Sequence, residues 1–565
     1  MVIFKSKRII KVKIGINKVC VLSFLLMSYF YSICGAIPFK GSQILISAPS
    51  HYATEVGVKI AKKGGNYIDV AISVALTLAV TSPYFASLGG GGFALIKNNS
   101  NIEALDFRET APKSTDQTFY EKRPKDSSIK GGAAVGVPGI PAGLWSLHKK
   151  YGKLPWKVLF EEPLKLAKSG FTVSGEWVDY AETMKSIFDE GGIKHILKAD
   201  KSVLMPGELF KQIELSKALI LYRDQNINGF YTGKVAQDIV TSVKKSGGVL
   251  SLDDLSNYKV RWLTPLIEQF RGYTIYLMPP PSSGGIVIQS ALEMVNRVEL
   301  DKYQTFSVNE FHLLGEILSR SFKGRTFLGD PDFVKNPTDQ LLSKDYLDSM
   351  AKSIDLKKSI ELEGLSPLSK ESHETTHFVV MDKLGNTVSM TITLNGRYGS
   401  GVVTDQYGIA LNNEMDDFTT RPKEPNSYGL IQGTSNLVEP GKRPLSSMSP
   451  TIVTKGSETL LALGAPGGPT IISGVFQVLY RVLVSGMDID QAIQAPRVHH
   501  QYKPHRLLLD RNRFVPESIK GLQDKGHKIE FADAIARVSG IKRAPETGIL
   551  EGSFDSRGEG SSAGY

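Results

Sequence analysis

A polar, highly charged stretch of forty residues, Lys335 to Glu374, shows little apolar periodicity and stops abruptly at Thr375, where a β-rich run begins. Loops of that length inside a compact protein are usually functional or disordered, so this is the main boundary of the chain. Beyond it, Thr375–Asp382 and Thr387–Asn395 read as two strands joined by a turn at 383–386, since Gly385-Asn386 between β-rich runs is a hairpin signal. Thr451–Thr454 and Leu460–Leu463 read as further strands, and Gly467-Gly468-Pro469 opens a helix over 470–484. Upstream, residues 52–80 read as helix, Gly64-Gly65 turn, helix. The second of these, Asp69 to Val80, is apolar on nearly all sides and is expected to be buried, with Pro83 stopping it. Four consecutive glycines, Gly89 to Gly92, lead into a short strand, Phe93–Ile96. They suit a place where backbone approaches closely or takes positive φ. No Lys-Ser/Thr follows, so they are not read as a phosphate loop. Gly131–Gly143 and Met278–Gly285 are Gly/Pro-rich turns between helical stretches, and 144–260 has the spacing of a helical layer. No repeat of 20–50 residues is visible. Strands backed by helices imply an α+β or layered α/β architecture.

The N-terminus constrains compartment and charge. Residues 1–18 hold six basic residues and no acid; an apolar run, Val19 to Ala36, follows and ends on Gly35-Ala36. This is a secretory-signal pattern, with cleavage expected after Ala36. The run approaches the ~20 residues of a membrane span, so an uncleaved anchor is the alternative. Lipid anchoring at Cys34 is disfavoured by Ser32-Ile33 before it. The formal charge of +10 falls to +4 without the leader, and no dense basic run with interleaved aromatics remains, so a nucleic-acid groove has no support. Cys20 and Cys34 are the only cysteines, which excludes a thiol nucleophile and a disulfide framework from the mature chain. With 41% apolar residues over 565 positions, the chain is globular, at a length expected to hold two to four domains.

At the boundary stands His373-Glu374-Thr375-Thr376-His377, which matches H-E-x-x-H. Zinc-peptidase chemistry needs both histidines one turn apart on a helix. The sequel Phe378-Val379-Val380 argues for a strand, on which the two would lie about 13 Å apart. Val380 and Lys383 also occupy the places of the glycine and third histidine of the extended zinc motif. The alternative reading uses Thr375: a cut before it would give an N-terminal residue with a hydroxyl and an amine of pKa about 7.7–8.0, able to act as base for its own hydroxyl. A strand-initial threonine with no such role remains open at this point.

The segment Glu374–Phe378, together with Thr391-Ile392-Thr393-Leu394-Asn395, resembles the γ-glutamyltransferase family of N-terminal-nucleophile hydrolases. The resemblance continues, in chain order, through the tetraglycine segment, Asp106–Pro112, Pro279–Gly285, Leu411–Phe418, Arg443–Thr451, Gly464–Gly468 and Ala563-Gly564-Tyr565, covering essentially the whole mature chain. It implies an α+β fold, a four-layer αββα sandwich formed jointly by a large subunit, 37–374, and a small subunit, 375–565, after a 1–36 signal peptide. It implies self-cleavage between Glu374 and Thr375, then attack of Thr375 on the γ-carbonyl of a γ-glutamyl amide such as glutathione. The resulting ester passes to water or to an amino acid or peptide. Thr393 is implied to tune the nucleophile, and Gly467 and Gly468 to form the oxyanion hole. Arg108, Ser446 and Ser447 are implied to bind the donor carboxylate, and Asn395, Glu414 and Asp417 its ammonium. Tyr428, in a loop over 422–433, is expected to wall off the pocket. Where the family often has Ser-Arg after the glycine pair, this chain has Pro469-Thr470.

No metal or organic cofactor and no nucleic acid partner is implied. The expected partners are a small γ-glutamyl donor and its acceptor, with the two subunits as a heterodimer, exported to periplasm or medium and membrane-bound only through an uncleaved signal. The alternatives are a related acylase, a poly-γ-glutamate-processing enzyme, or an inactive exported binding homologue.

Overall fold

The structure, a computed structural model, describes residues 38–364, 375–421 and 433–565. The leader with Cys20 and Cys34, the junction residues His373 and Glu374, and Tyr428 lie outside them. No helix among the described residues is long and apolar enough to cross a membrane.

Seven strands carry the segment that begins at Thr375. Within that sheet, β1 (Ile44–Ala48), β2 (Gly91–Asn98), β3 (Asn101–Phe107), β4 (Thr375–Asp382) and β5 (Thr387–Thr393) run in the order β1-β4-β5-β2-β3, with Ser561–Gly564 and Arg261–Leu263 on the two edges. All neighbours are antiparallel. A second seven-stranded sheet centres on β6 (Thr451–Lys455) and β7 (Glu458–Gly464), flanked by 539–554 and by 266–277. Each sheet takes strands from both sides of Thr375.

The sheets stack face to face. Alternation along β4 divides its side chains: Phe378 and Val380 join a core with helices α1 (His51–Lys62) and α2 (Tyr67–Thr81), while Val379 and Met381 face the second sheet. Helices α3 (Gly284–Arg297), α4 (Val308–Lys323) and α5 (Thr470–Leu483) cover the outer face of that second sheet. The result is the expected four-layer αββα sandwich. Burial on both faces explains why β4 and β5 read as continuous β-branched runs rather than as polar–apolar alternation. Every residue of α2 is buried, as its all-round apolar sequence requires, and Asn66 with Asp69 forms a capping box at its start.

Three readings are corrected. Residues 38–565 form one compact unit rather than several domains, because both halves of the chain interleave in both sheets. The polar stretch is partly folded: Thr338–Leu341 and Lys344–Lys352 are helices, anchored by buried Leu341 and Leu347 on otherwise charged sequence. Residues Met278–Gly285 follow a strand, Tyr273–Leu277, not a helix.

Candidate active site

Thr375 opens β4 opposite Thr393 at the end of β5, in a cross-strand pair that brings the two hydroxyls to 3.2 Å. Thr393 Oγ1 also accepts the amide N–H of Asn395 at 2.8 Å. Asn395 itself lies in the left-handed region, φ +68°, which turns the chain sharply out of the strand. Its side-chain amide donates to the carbonyl of Asn413 at 3.1 Å, which leaves Oδ1 as an acceptor.

Two residues further along, His377 is in the strand and fully buried, with Nδ1 2.8 Å from Thr391 Oγ1. Burial lowers its pKa to about 3, so it is neutral. A strand, not a helix, carries this half of the H-E-x-x-H pattern, which removes the geometry a zinc-peptidase helix would supply.

Arg108, just past β3, is fully buried and donates to the carboxylates of both Glu414 and Asp417. Glu109 stands 3.8 Å from the same guanidinium. Arg108, expected to bind the donor carboxylate, and Glu414 and Asp417, expected to bind its ammonium, form one ion-pair network. Three buried carboxylates surround one arginine, and the imbalance appears in the titration of the acids. Burial pushes Glu109 up to about 7, and burial with the neighbouring carboxylates raises Glu414 well above its ordinary range. Among the described residues, one oxygen of Glu414 and both of Glu109 meet no hydrogen-bond donor.

Ser446 and Ser447 are held by the Pro279–Gly285 segment. The Ser446 N–H donates to the Pro281 carbonyl at 2.8 Å, and Ser283 donates to the Ser446 carbonyl through both N–H and hydroxyl at 2.7 Å. Behind them Arg325, which sequence reasoning did not single out, donates to Ser283 Oγ at 2.8 Å and Ser447 Oγ at 3.2 Å. Its burial beside Arg108 lowers its pKa to about 9. Gly467 and Gly468 follow β7 with φ of +134° and +55°, conformations that a Cβ would strain, and α5 begins two residues on. Among the described residues the Gly468 N–H meets no acceptor.

One cavity gathers nearly all of these groups. Its wall is made by Arg108, Thr375, Thr393, Asn395, Glu414, Asp417, Ser446, Ser447 and Gly468, with Met448 and Ile471. Gly467 borders a neighbouring, larger cavity instead. Glu109 and Arg325 were missed as site residues. Glu109 stood beside a chosen arginine and had that signal, whereas nothing local marks Arg325.

The family profile described as Gamma-glutamyltranspeptidase matches residues 53–565. The glutathione hydrolase proenzyme of Escherichia coli K12 is 39% identical over 94% of this chain and 93% of its own length. That of Pseudomonas aeruginosa is 37% identical over 91% and 93%. Among solved structures, cephalosporin acylase from Bacillus halodurans superposes with a TM-score of 0.83 at 25% identity, over 94% of this chain and 97% of that one. A chain of Helicobacter pylori gamma-glutamyltranspeptidase gives 0.53 at 34% identity, over 54% of this chain and 90% of that one.

Proposed function

The chain belongs to the γ-glutamyltranspeptidase family, and from that premise we propose that it cleaves itself between Glu374 and Thr375 and then uses Thr375 to take the γ-glutamyl group from glutathione and related amides. The group passes to water or to an amino acid or peptide amine. The chain is thus a γ-glutamyltransferase and glutathione hydrolase. Its large subunit is 37–374 and its small subunit 375–565, exported after loss of a 1–36 leader.

One observation carries the choice of donor: two buried carboxylates, Glu414 and Asp417, share the single Arg108 in the wall of the cavity that Thr375 borders. With both acids ionised that wall lacks one positive charge, and a ligand ammonium supplies it. A glutaryl donor has no amine to offer, which separates this reading from a glutaryl-specific acylase. The donor's α-carboxylate meets the Arg108 fork and the Ser446 and Ser447 hydroxyls, and its ammonium meets Asn395 Oδ1, Glu414 and Asp417.

The chemistry then follows from position. The freed Thr375 amine takes the proton of its own hydroxyl as Oγ1 bonds to the γ-carbonyl carbon. Thr393, 3.2 Å away, orients that hydroxyl. The oxyanion that forms is held by the N–H groups of Gly467 and Gly468. Collapse breaks the C–N bond, and the Thr375 ammonium returns its proton to the departing amine. Water or a second amine attacks the ester, and Oγ1 leaves as the regenerated hydroxyl.

Intact mass spectrometry of the protein beside its Thr375→Ala variant tests this. Two chains in the wild type, the smaller starting at Thr375, and one uncut inactive chain in the variant are expected. An uncut wild-type chain, or a variant that still cleaves and releases amine from γ-glutamyl amides, overturns the assignment of Thr375.

A further inference from the structure

Helix α4 carries His312 and Glu316 one turn apart, so both project from one face, with Arg320 a further turn along. All three are buried, yet none lines the cavities that Thr375 borders. A third group comes from the chain beyond Thr375. Gly526, at φ +83°, follows the helix Pro516–Asp524 and turns His527 back against α4, where its Nε2 lies 2.8 Å from His312 Nδ1. One ligand-capable atom from each of His312, Glu316 and His527 lies within 4.8 Å of the others.

The surroundings orient these atoms. His312 Nε2 is 2.8 Å from the Asp355 carbonyl, which only accepts, so the Nε2 proton is committed there. The neutral ring therefore turns its Nδ1 lone pair toward His527. A carbonyl on the far nitrogen is the usual support of a ligating histidine. Glu316 is held in the same manner: Oε2 accepts from Arg320 Nη1 at 2.6 Å and Oε1 from the Ser359 hydroxyl at 2.9 Å. Each carboxylate oxygen keeps a further lone pair. Arg320 is itself pinned by the Met350 and Ser353 carbonyls, which keeps its guanidinium out of the space between the histidines. Asp355 and Ser359 are only half-buried, as is His505, whose Nε2 lies 3.4 Å from Ser359 Oγ, so solvent is close by.

Two imidazoles and a carboxylate suit zinc, cobalt or nickel, whereas magnesium and calcium sites are built from oxygen. Zinc–imidazole bonds of about 2.0–2.1 Å set two nitrogens about 3.3 Å apart in a tetrahedron, so the 2.8 Å contact has to open by only about half an ångström.

We infer that His312, Glu316 and His527 bind one divalent transition-metal ion of the zinc and cobalt class, with water in the fourth position. The ion takes the place of the proton shared by the two ring nitrogens, and that proton moves to His527 Nδ1. His312 and Glu316 precede Thr375 and His527 follows it, so the ion ties together the two sides of the junction. The ligands are in place whether or not the chain is cut, so the inference stands apart from the function proposed above.

The test uses the untagged protein, stripped with EDTA and dialysed, then titrated with CoCl2 at neutral pH. Visible absorption and metal analysis after gel filtration are the readouts. Wild type should retain one Co2+ per chain with the strong visible bands of a four-coordinate ion, and ZnCl2 should erase them. His312→Gln and His527→Gln should lose that equivalent, while His51→Gln, a change at an exposed histidine, should keep it. ZnCl2 should raise the melting temperature of wild type and leave that of His527→Gln unmoved. Wild type that retains no equivalent of Co2+ overturns the site, whatever the variants do. So does an undiminished equivalent in both glutamine variants. An ion bound without any rise in melting temperature overturns the tie across the junction.

Discussion

Arg108 is the positive charge on which three buried carboxylates depend, and its shape matters as much as its charge. Two guanidinium nitrogens reach Glu414 and Asp417 at once while Nε points to the Pro444 carbonyl at 3.4 Å. Lysine keeps the charge and loses the fork, so Arg108→Lys is expected to raise the donor KM by about 10- to 100-fold with a smaller loss in kcat. Steady-state kinetics over donor concentration checks it, and an unchanged KM would take Arg108 out of donor binding. Arg108→Ala goes further, stranding buried acids at a cost of about 3–5 kcal/mol, readable in urea denaturation. This side chain also marks how far a sequence can be read at this scale. Residue chemistry placed Thr375 at the head of a strand and put His377 there too, and the ordered motifs supplied Arg108, Glu414 and Asp417. That Arg108 bonds directly to Glu414, 306 residues away, follows only from folding. Arg325 escaped for the same reason, since it acquires meaning from Ser283 and Ser447, distant in sequence.

At the level of elements, the four glycines illustrate a signal legible in kind but not in target. They were read as a place of close backbone approach. The structure supplies the partner: a Cβ on Gly90 would stand 2.0 Å from the Thr393 carbonyl oxygen, and one on Gly91 would stand 2.3 Å from Glu109 Oε2. The entry to β2 thus lies against the end of β5 and the Arg108 network together. Gly90→Ala forces a backbone atom, not a flexible side-chain tip, to move. It is expected to destabilise by about 1–3 kcal/mol, as overpacking does. It should also lower kcat by displacing Thr393 from Thr375. Gly175→Ala is the control, because it is exposed at a helix start with nothing within 4 Å of the added carbon. Thermal unfolding and kcat of both variants decide; equal behaviour would mean the contact relaxes freely. The β4–β5 hairpin was legible because β-branched runs flank a Gly-Asn turn. The helices at 338–341 and 344–352 were not, because two buried leucines are all that distinguish them from solvated charge.

Across the whole molecule, stability against acid follows from groups buried in the less favourable protonation state. Burial lowers the pKa of His377 and His527 to about 3, and His312, His500 and His505 are lowered too. The unfolded chain titrates them near 6.5, so below that pH it binds protons the folded chain refuses, and stability falls as pH drops. Glu109 and Glu268, raised to about 7, and Glu414, raised further, act in the opposite sense. Between pH 7 and about 4.5 the folded chain holds protons on these acids that the unfolded chain has released, so lowering pH favours the folded state. The buried histidines and the buried acids therefore act in opposite senses between pH 6.5 and 4.5. Below about 4.5 these raised acids are protonated in both states, while His377 and His527 continue to favour the unfolded chain down to about pH 3. Buried Asp555, lowered by Arg497 and Arg557, also loses its stabilising charge there. The expected profile is therefore steeper beneath about pH 4.5 than above it. Glu268→Gln isolates the balance, since it removes one compensating acid at a buried site remote from Thr375. Its stability should already decline between pH 6.5 and 4.5, by about 1.4 kcal/mol per pH unit more than wild type. Urea midpoints at pH 6.5, 5.5 and 4.5 measure the difference, and parallel profiles for the two proteins would show that Glu268 carries no proton in the folded state over that range.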